Sequence, residues 1–187
     1  MSDITKKAIL ESFKKILCEK TFSKITIKDI TDDCGINRMT FYYHFKDIYD
    51  LVEWALSQKL DQALQGDYSF ATWKQRYLNV FLATLDMKDL ILKVYPSMDM
   101  KNIERYLICV AHQLMHAVIE EKAGDYSVSD YEKNFISEMY ENMLVGTFLR
   151  WIERGMKEDP AYIVECFSVA VQGGLARSFA HFSSKKR

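Results

Sequence analysis

Apolar residues recur at three- and four-residue spacing along nearly the whole chain, which predicts helices rather than strands. Ile9, Phe13, Ile16 and Leu17 form the first stripe, over a helix from about Thr5 to Lys20. Its other face carries Lys6, Lys7, Lys14, Lys15 and Lys20, read as solvated. Phe22 and Ile25 follow as plugs for a small core. Ile27 and Ile30 mark a second, short helix, and Phe41 and Phe45 a third. A helix from Asp47 to about Gln65 presents Leu51, Trp54, Ala55 and Leu60. At 1.5 Å per residue it spans roughly 28 Å, long enough to serve as a lever between two halves of the chain.

Beyond Gly66 the pattern stays helical. It predicts helices over 70–85, a short one up to Tyr95 stopped by Pro96, then 99–123 and 128–154, and a last one from Asp159-Pro160 to about Phe182. Asp159 serves as N-cap and Pro160 as first residue of that helix. Gly66, Gly124 and Gly155 stand at helix ends, where left-handed caps favour glycine. Residues 183–187 form a short polar, basic tail. Two prolines and seven glycines in 187 residues fit an all-α chain with few turns.

The turn chemistry between residues 26 and 46 is denser than elsewhere. Thr26 with Asp29 three residues on resembles a capping box. Gly35 permits the positive φ of a helix end, and Asn37 is a strong N-cap for the next helix. The stretch Asn37-Arg38-Met39-Thr40-Phe41-Tyr42-Tyr43-His44-Phe45-Lys46 contains no carboxylate. With Phe41 and Phe45 turned inward, its outer face is rich in donors and cations. Such a face suits a polyanion: long side chains reach base edges in a major groove while Tyr, His and Lys meet phosphate. Helix–turn–helix patterns also occur in proteins that never touch DNA, so the pattern alone leaves that open.

Thr26-Ile27-Lys28-Asp29-Ile30, Gly35-Ile36 and Thr40-Phe41-Tyr42-Tyr43-His44-Phe45 together resemble the N-terminal DNA-binding domain of TetR-type transcriptional regulators, over about residues 5 to 60. The resemblance implies that residues 38 to 46 form a recognition helix. The DNA-binding set is then Thr26, Lys28, Asn37, Arg38, Met39, Thr40, Tyr42, Tyr43, His44 and Lys46. Two positions depart from the family pattern: Thr21 stands where glycine usually ends the first helix, and Ile48 where a phosphate-contacting lysine is frequent. Lys46 or Lys28 must replace that cation. Phe148-Leu149-Arg150-Trp151-Ile152-Glu153-Arg154-Gly155 followed by Asp159-Pro160 resembles the end of many ligand domains of that family. The Tyr- and Trp-bearing middle is similar to the branch that includes activators of dihydroxyacetone kinase operons; no ligand is carried over from it.

Composition and charge sharpen this reading. Apolar residues make up 49% of the chain, which favours packing over disorder. The net charge of −1 does not mark a generally basic nucleic-acid binder, but residues 1–46 hold nine Lys or Arg against six Asp or Glu. Cys18, Cys34, Cys109 and Cys166 form no C-x-x-C pair and read as isolated thiols in a reducing compartment. No signal peptide or membrane-length apolar run is evident, so a cytoplasmic location is expected. No phosphate loop, G-x-S-x-G elbow or H-E-x-x-H supports an enzyme, and no cofactor is implied.

Three further groups stand out. Cys109, His112 and His116 share one helix at metal-ligand spacing, with polar packing as the competing account. Tyr77, Phe81, Tyr106, His112, Met115, His116, Tyr140 and Met143 are candidates to line an effector cavity, with ordinary core packing as the alternative. Gly146, Gly173 and Gly174 lie inside long helices, where each costs about 1 kcal/mol relative to Ala. Close approach of a second copy is one compensation, giving a dimer interface of Gly146, Leu149, Gly173, Gly174 and Phe179; easing packing within one chain is the other.

The expectation is therefore an all-α protein. A three-helix helix–turn–helix domain covers 1–46, and a helical-bundle effector and dimerisation domain covers 47–187, with helix 47–65 bridging the two. It is expected to bind double-stranded operator DNA as a homodimer, under control of a small-molecule effector, and to have no membrane partner. A divalent-metal-responsive regulator, and a protein–protein adaptor with a non-functional DNA-binding head, are the alternatives.

Overall fold

The computed structural model describes residues 2–184; the last three residues of the polar tail lie outside them. Among the described residues there are nine α-helices and no strand: α1 (Ser2–Glu19), α2 (Ile27–Cys34), α3 (Arg38–His44), α4 (Ile48–Ala63), α5 (Trp73–Leu85), α6 (Lys88–Val94), α7 (Met100–Ala123), α8 (Asp130–Glu153) and α9 (Pro160–Ser184). The chain divides into two compact units. One comprises Met1–Gln62 and Asp86–Met98, the other Ala63–Leu85 and Asp99–Arg187. The helix read as a bridge thus lies in the first unit as far as Gln62. The segment carrying α6, grouped with the second domain by sequence, belongs to the first. No described helix is long and apolar enough to cross a membrane.

In the first unit α1, α2 and α3 enclose a core in which Ile9, Phe13, Ile30, Phe41 and Leu51 are fully buried. Burial of such side chains contributes on the order of 1.5–3 kcal/mol each. Polar contacts fix how α1 meets α2. The buried Ser12 hydroxyl lies 3.1 Å from the Ile30 carbonyl and 2.8 Å from an Asp33 carboxylate oxygen, and Lys15 pairs with the same carboxylate. Lys93 of α6 donates to the Leu17 carbonyl at 3.0 Å. It thereby satisfies an end of α1 whose last turn has no basic residue of its own.

The second unit is built on α7 and α8. Lys133 meets Glu120 at 3.1 Å and Glu141 meets His112 at 2.9 Å, so the pairs progress in opposite directions and the helices run antiparallel. Ser129 caps α8 through a full capping box with Glu132, a Ser-x-x-Glu signal that hydrophobic periodicity does not reveal. Inside, Tyr77, Phe81, Phe148, Trp151 and Phe167 form one aromatic cluster, with Phe81 at 4.8 Å from Trp151 and 5.2 Å from Phe148. The Trp151 indole donates to the Glu158 carbonyl at 3.0 Å and closes the α8–α9 turn. At the end of α7, Gly124 keeps an ordinary helical φ of −55°. The helix stops there through a turn, Tyr126 N–H to Ala123 carbonyl, and needs no left-handed cap.

Candidate nucleic-acid interface

Local chemistry explains why α2 and α3 stand as they do. Thr26 accepts from the Asp29 amide and the Asp29 carboxylate accepts from the Thr26 amide at 2.9 Å, completing the expected box. Lys20, just past the end of α1, adds an ion pair to Asp29 at 2.8 Å. That ammonium first, then the Thr26 amide and hydroxyl, hold the Asp29 carboxyl down to about 2. Gly35 takes φ 68°, a left-handed conformation that a β-branched or bulky residue adopts only with strain. Asn37 then caps α3, accepting from the Thr40 amide at 2.8 Å and from the Thr40 hydroxyl at 3.0 Å.

The inward face of α3 is Phe41 and Phe45, 5.9 Å apart and buried. The outer residues fall into two groups. Arg38 leans over the Tyr42 ring, its Nη2 3.4 Å from the tyrosine hydroxyl. Met39 and Tyr43 are 76% and 82% exposed. His44 is half-buried with its ring edge against Tyr43, and Lys46 is exposed. Lys28 pairs with Asp32 on α2, so of the two cations expected to replace the lysine missing at Ile48, one is engaged within its own helix.

The eight effector candidates do not converge. Tyr77, Phe81, Met115 and Tyr140 are buried, Tyr106 is half-buried, and His112, His116 and Met143 are exposed. The Tyr77 hydroxyl donates to the Leu144 carbonyl at 2.8 Å, and burial pushes its phenol far above the usual tyrosine range. Burial likewise raises Tyr140. Of the eight, only Tyr77 lines the cavity of about 20 Å³ between α5, α7 and α8, whose other walls include Val80, Val110, Leu114 and Phe148. A void of that size holds about one water.

The metal candidates Cys109, His112 and His116 are all exposed on α7. The His112 and His116 rings stack at 5.4 Å, His112 Nδ1 sits on Glu141, and Ser137 donates to the same carboxylate oxygen at 2.7 Å. Among the described residues no three His, Cys, Asp or Glu side chains gather as a metal site.

The interior glycines divide as well. A Cβ on Gly174 would stand 2.3 Å from the Tyr140 hydroxyl of the same chain, so this glycine eases packing within the protomer. A Cβ on Gly146 would meet nothing within 4 Å, and one on Gly173 only the tip of Arg177 at 3.7 Å. Phe179 is fully buried and Leu149 half-buried. Along α8, Tyr131, Phe135, Met139 and Met143 are exposed at four-residue spacing and lead to Gly146; on α9, Tyr162 and Val169 are exposed. Sequence reasoning missed this α8 stripe because its inward neighbours are equally apolar, and exposure is what separates the two faces. Between α8 and α9 lies an open groove of about 640 Å³ lined by Met143, Gly146, Arg150, Arg154, Tyr162 and Cys166 among others.

Two capped short helices, a left-handed glycine turn and a carboxylate-free outer helix define a helix–turn–helix protein. The comparisons narrow this. The family described as "Bacterial regulatory proteins, tetR family" matches residues 9–55, and "Transcriptional regulator C-terminal region" matches residues 71–173. The second match covers more than half of the chain, and the chain belongs to the TetR family of transcriptional regulators. It is 29% identical over 137 residues, 72% of each chain, to the HTH-type dhaKLM operon transcriptional activator DhaS of Lactococcus lactis. The solved structure of a dihydroxyacetone kinase operon activator, DhaS, has the same fold, with a TM-score of 0.68 at 24% identity over 96% of this chain and 98% of that one. The family is one of regulators, not enzymes.

Proposed function

We propose that the protein is a homodimeric, sequence-specific DNA-binding regulator whose operator affinity responds to a small-molecule effector. The observation that carries the DNA reading is α3: an acid-free helix whose caps and Phe41/Phe45 anchor leave Arg38, Met39, Tyr42 and Tyr43 outward. Arg38 and Thr40 are assigned to base edges; Tyr42, His44 and Lys46, supported by Thr26 and Lys28 at the start of α2, are assigned to the phosphate backbone. The similarity to an operon activator favours activation over repression. A chromosomal DNA target supports a cytoplasmic location.

The dimer reading rests on the exposed α8 stripe, the open space at Gly146 and Gly173, and the unfilled groove beside them. Two copies of α8 and α9 would bury these faces in a four-helix contact with two-fold symmetry. Effector control is proposed at the void between α5, α7 and α8, which holds about one water and would have to widen to take a larger ligand. A gel shift of the full chain on DNA flanking its gene, against excess sheared competitor, tests the central reading. A retained complex is expected, and complete competition by unrelated DNA would overturn it.

A further inference from the structure

We propose that Met39 and Tyr43 form an apolar reader on α3 that selects thymine by its C5-methyl group. The inference deepens the DNA reading above and rests on it. Thr40 and Arg38, the polar side chains of α3 assigned to bases, each already hold one contact, so the apolar side chains between them carry part of the readout. The Thr40 hydroxyl donates to Asn37, the Asn37 oxygen is spent on the cap, and Arg38 leans on Tyr42. Phe41 and Phe45 define the buried face, and Met39 and Tyr43, also four residues apart, occupy the opposite one. Among the described residues of the first unit these two are the most exposed large apolar side chains.

A protruding Met–Tyr pair on a donor-rich, acid-free face offers an apolar contact to whatever docks there. Lys46 beyond the helix suits phosphate and Arg38 on one flank suits a neighbouring base edge, and together they bring the pair against a groove floor. In the major groove the apolar feature is the thymine methyl, and cytosine lacks it. The thioether of Met39 is flexible enough to follow a methyl whose height varies with local DNA shape, while the Tyr43 ring supplies a flat wall. The chemistry points to one or two A·T pairs in each half-site, read on the thymine strand.

The test uses the full chain and a duplex selected by it from a random pool. Each thymine is replaced singly by deoxyuridine, which removes only the methyl, and affinity is followed by fluorescence anisotropy at fixed salt. One or two positions per half-site are expected to lose about fourfold, the value of one buried methylene-sized group. At those positions Met39→Ala or Tyr43→Ala should bind thymine and uracil alike, whereas Lys46→Ala should keep the discrimination while weakening both. Tyr43→Phe should retain it, since the ring and not the hydroxyl is the reader. Because the first measurement uses the unaltered protein, it does not depend on any variant folding. Selected DNA that binds tightly but shows no uracil-sensitive position, or full sensitivity in both alanine variants, would overturn the thymine assignment and leave the DNA reading intact. Failure to select any sequence would overturn both.

Discussion

At the residue scale, the three interior glycines make opposed predictions. Gly174→Ala puts a methyl 2.3 Å from the Tyr140 hydroxyl, inside a well-packed unit. Overpacking of this kind costs about 1–3 kcal/mol and should outweigh the helix-propensity gain of about 1 kcal/mol, so urea denaturation should show a net loss. Gly146→Ala meets open space in the protomer and should gain on propensity alone. If α8 meets a second copy there, the same change should weaken self-association in sedimentation, and unchanged association would remove Gly146 from the interface. The sequence marked all three glycines as costly but could not separate them. Which way a helix position faces depends on the neighbour across from it, and Tyr140 is remote in sequence. Tyr77 shows the same limit: its spacing fitted a pocket wall or a core, and the Leu144 hydrogen bond with the surrounding ring cluster places it in the core beside a small void.

At the element scale, local signals carried the first unit well. The Thr26–Asp29 box, the left-handed Gly35 and the Asn37 cap were all legible, because each depends on residues within three or four positions. Thr26→Ala should cost about 1 kcal/mol of stability. Asp29 adds a pH dependence. Its carboxyl lies below the ordinary 3.8, at about 2, so its contribution is complete above pH 4 and is lost as pH falls through 2. Asp33, held down chiefly by Lys15 and then by Ser12, acts with the same sign. An acid titration of stability should therefore be less steep below pH 4 in Asp29→Asn than in the wild type; an equal slope would argue that the pair with Lys20 is not formed in solution. What the sequence did not reveal was the return of α6 to the first unit. The hydrogen bond from Lys93 to Leu17, 76 residues apart, belongs to that grouping, and no local pattern encodes it.

At the scale of the whole molecule, the account joins a helix–turn–helix to a face suited to two-fold pairing, and the two make a joint prediction. A symmetric dimer presents two copies of α3 to successive major grooves, roughly 34 Å apart, and so requires a near-palindromic site. Affinity should fall linearly with salt on a log–log scale, with a slope near −0.9 for each phosphate neutralised. Lys46→Ala should flatten that slope by about one unit per lost contact, without changing which sequence is preferred. The most direct test of the central claim is selection and sequencing of duplexes from a random pool with the full chain. The account predicts one enriched motif with two-fold symmetry and half-site centres about one helical turn, or a small multiple of it, apart. Its enrichment should be lost in Arg38→Ala combined with Tyr43→Ala. A pool that remains random, or a motif enriched equally by that double variant, would contradict it.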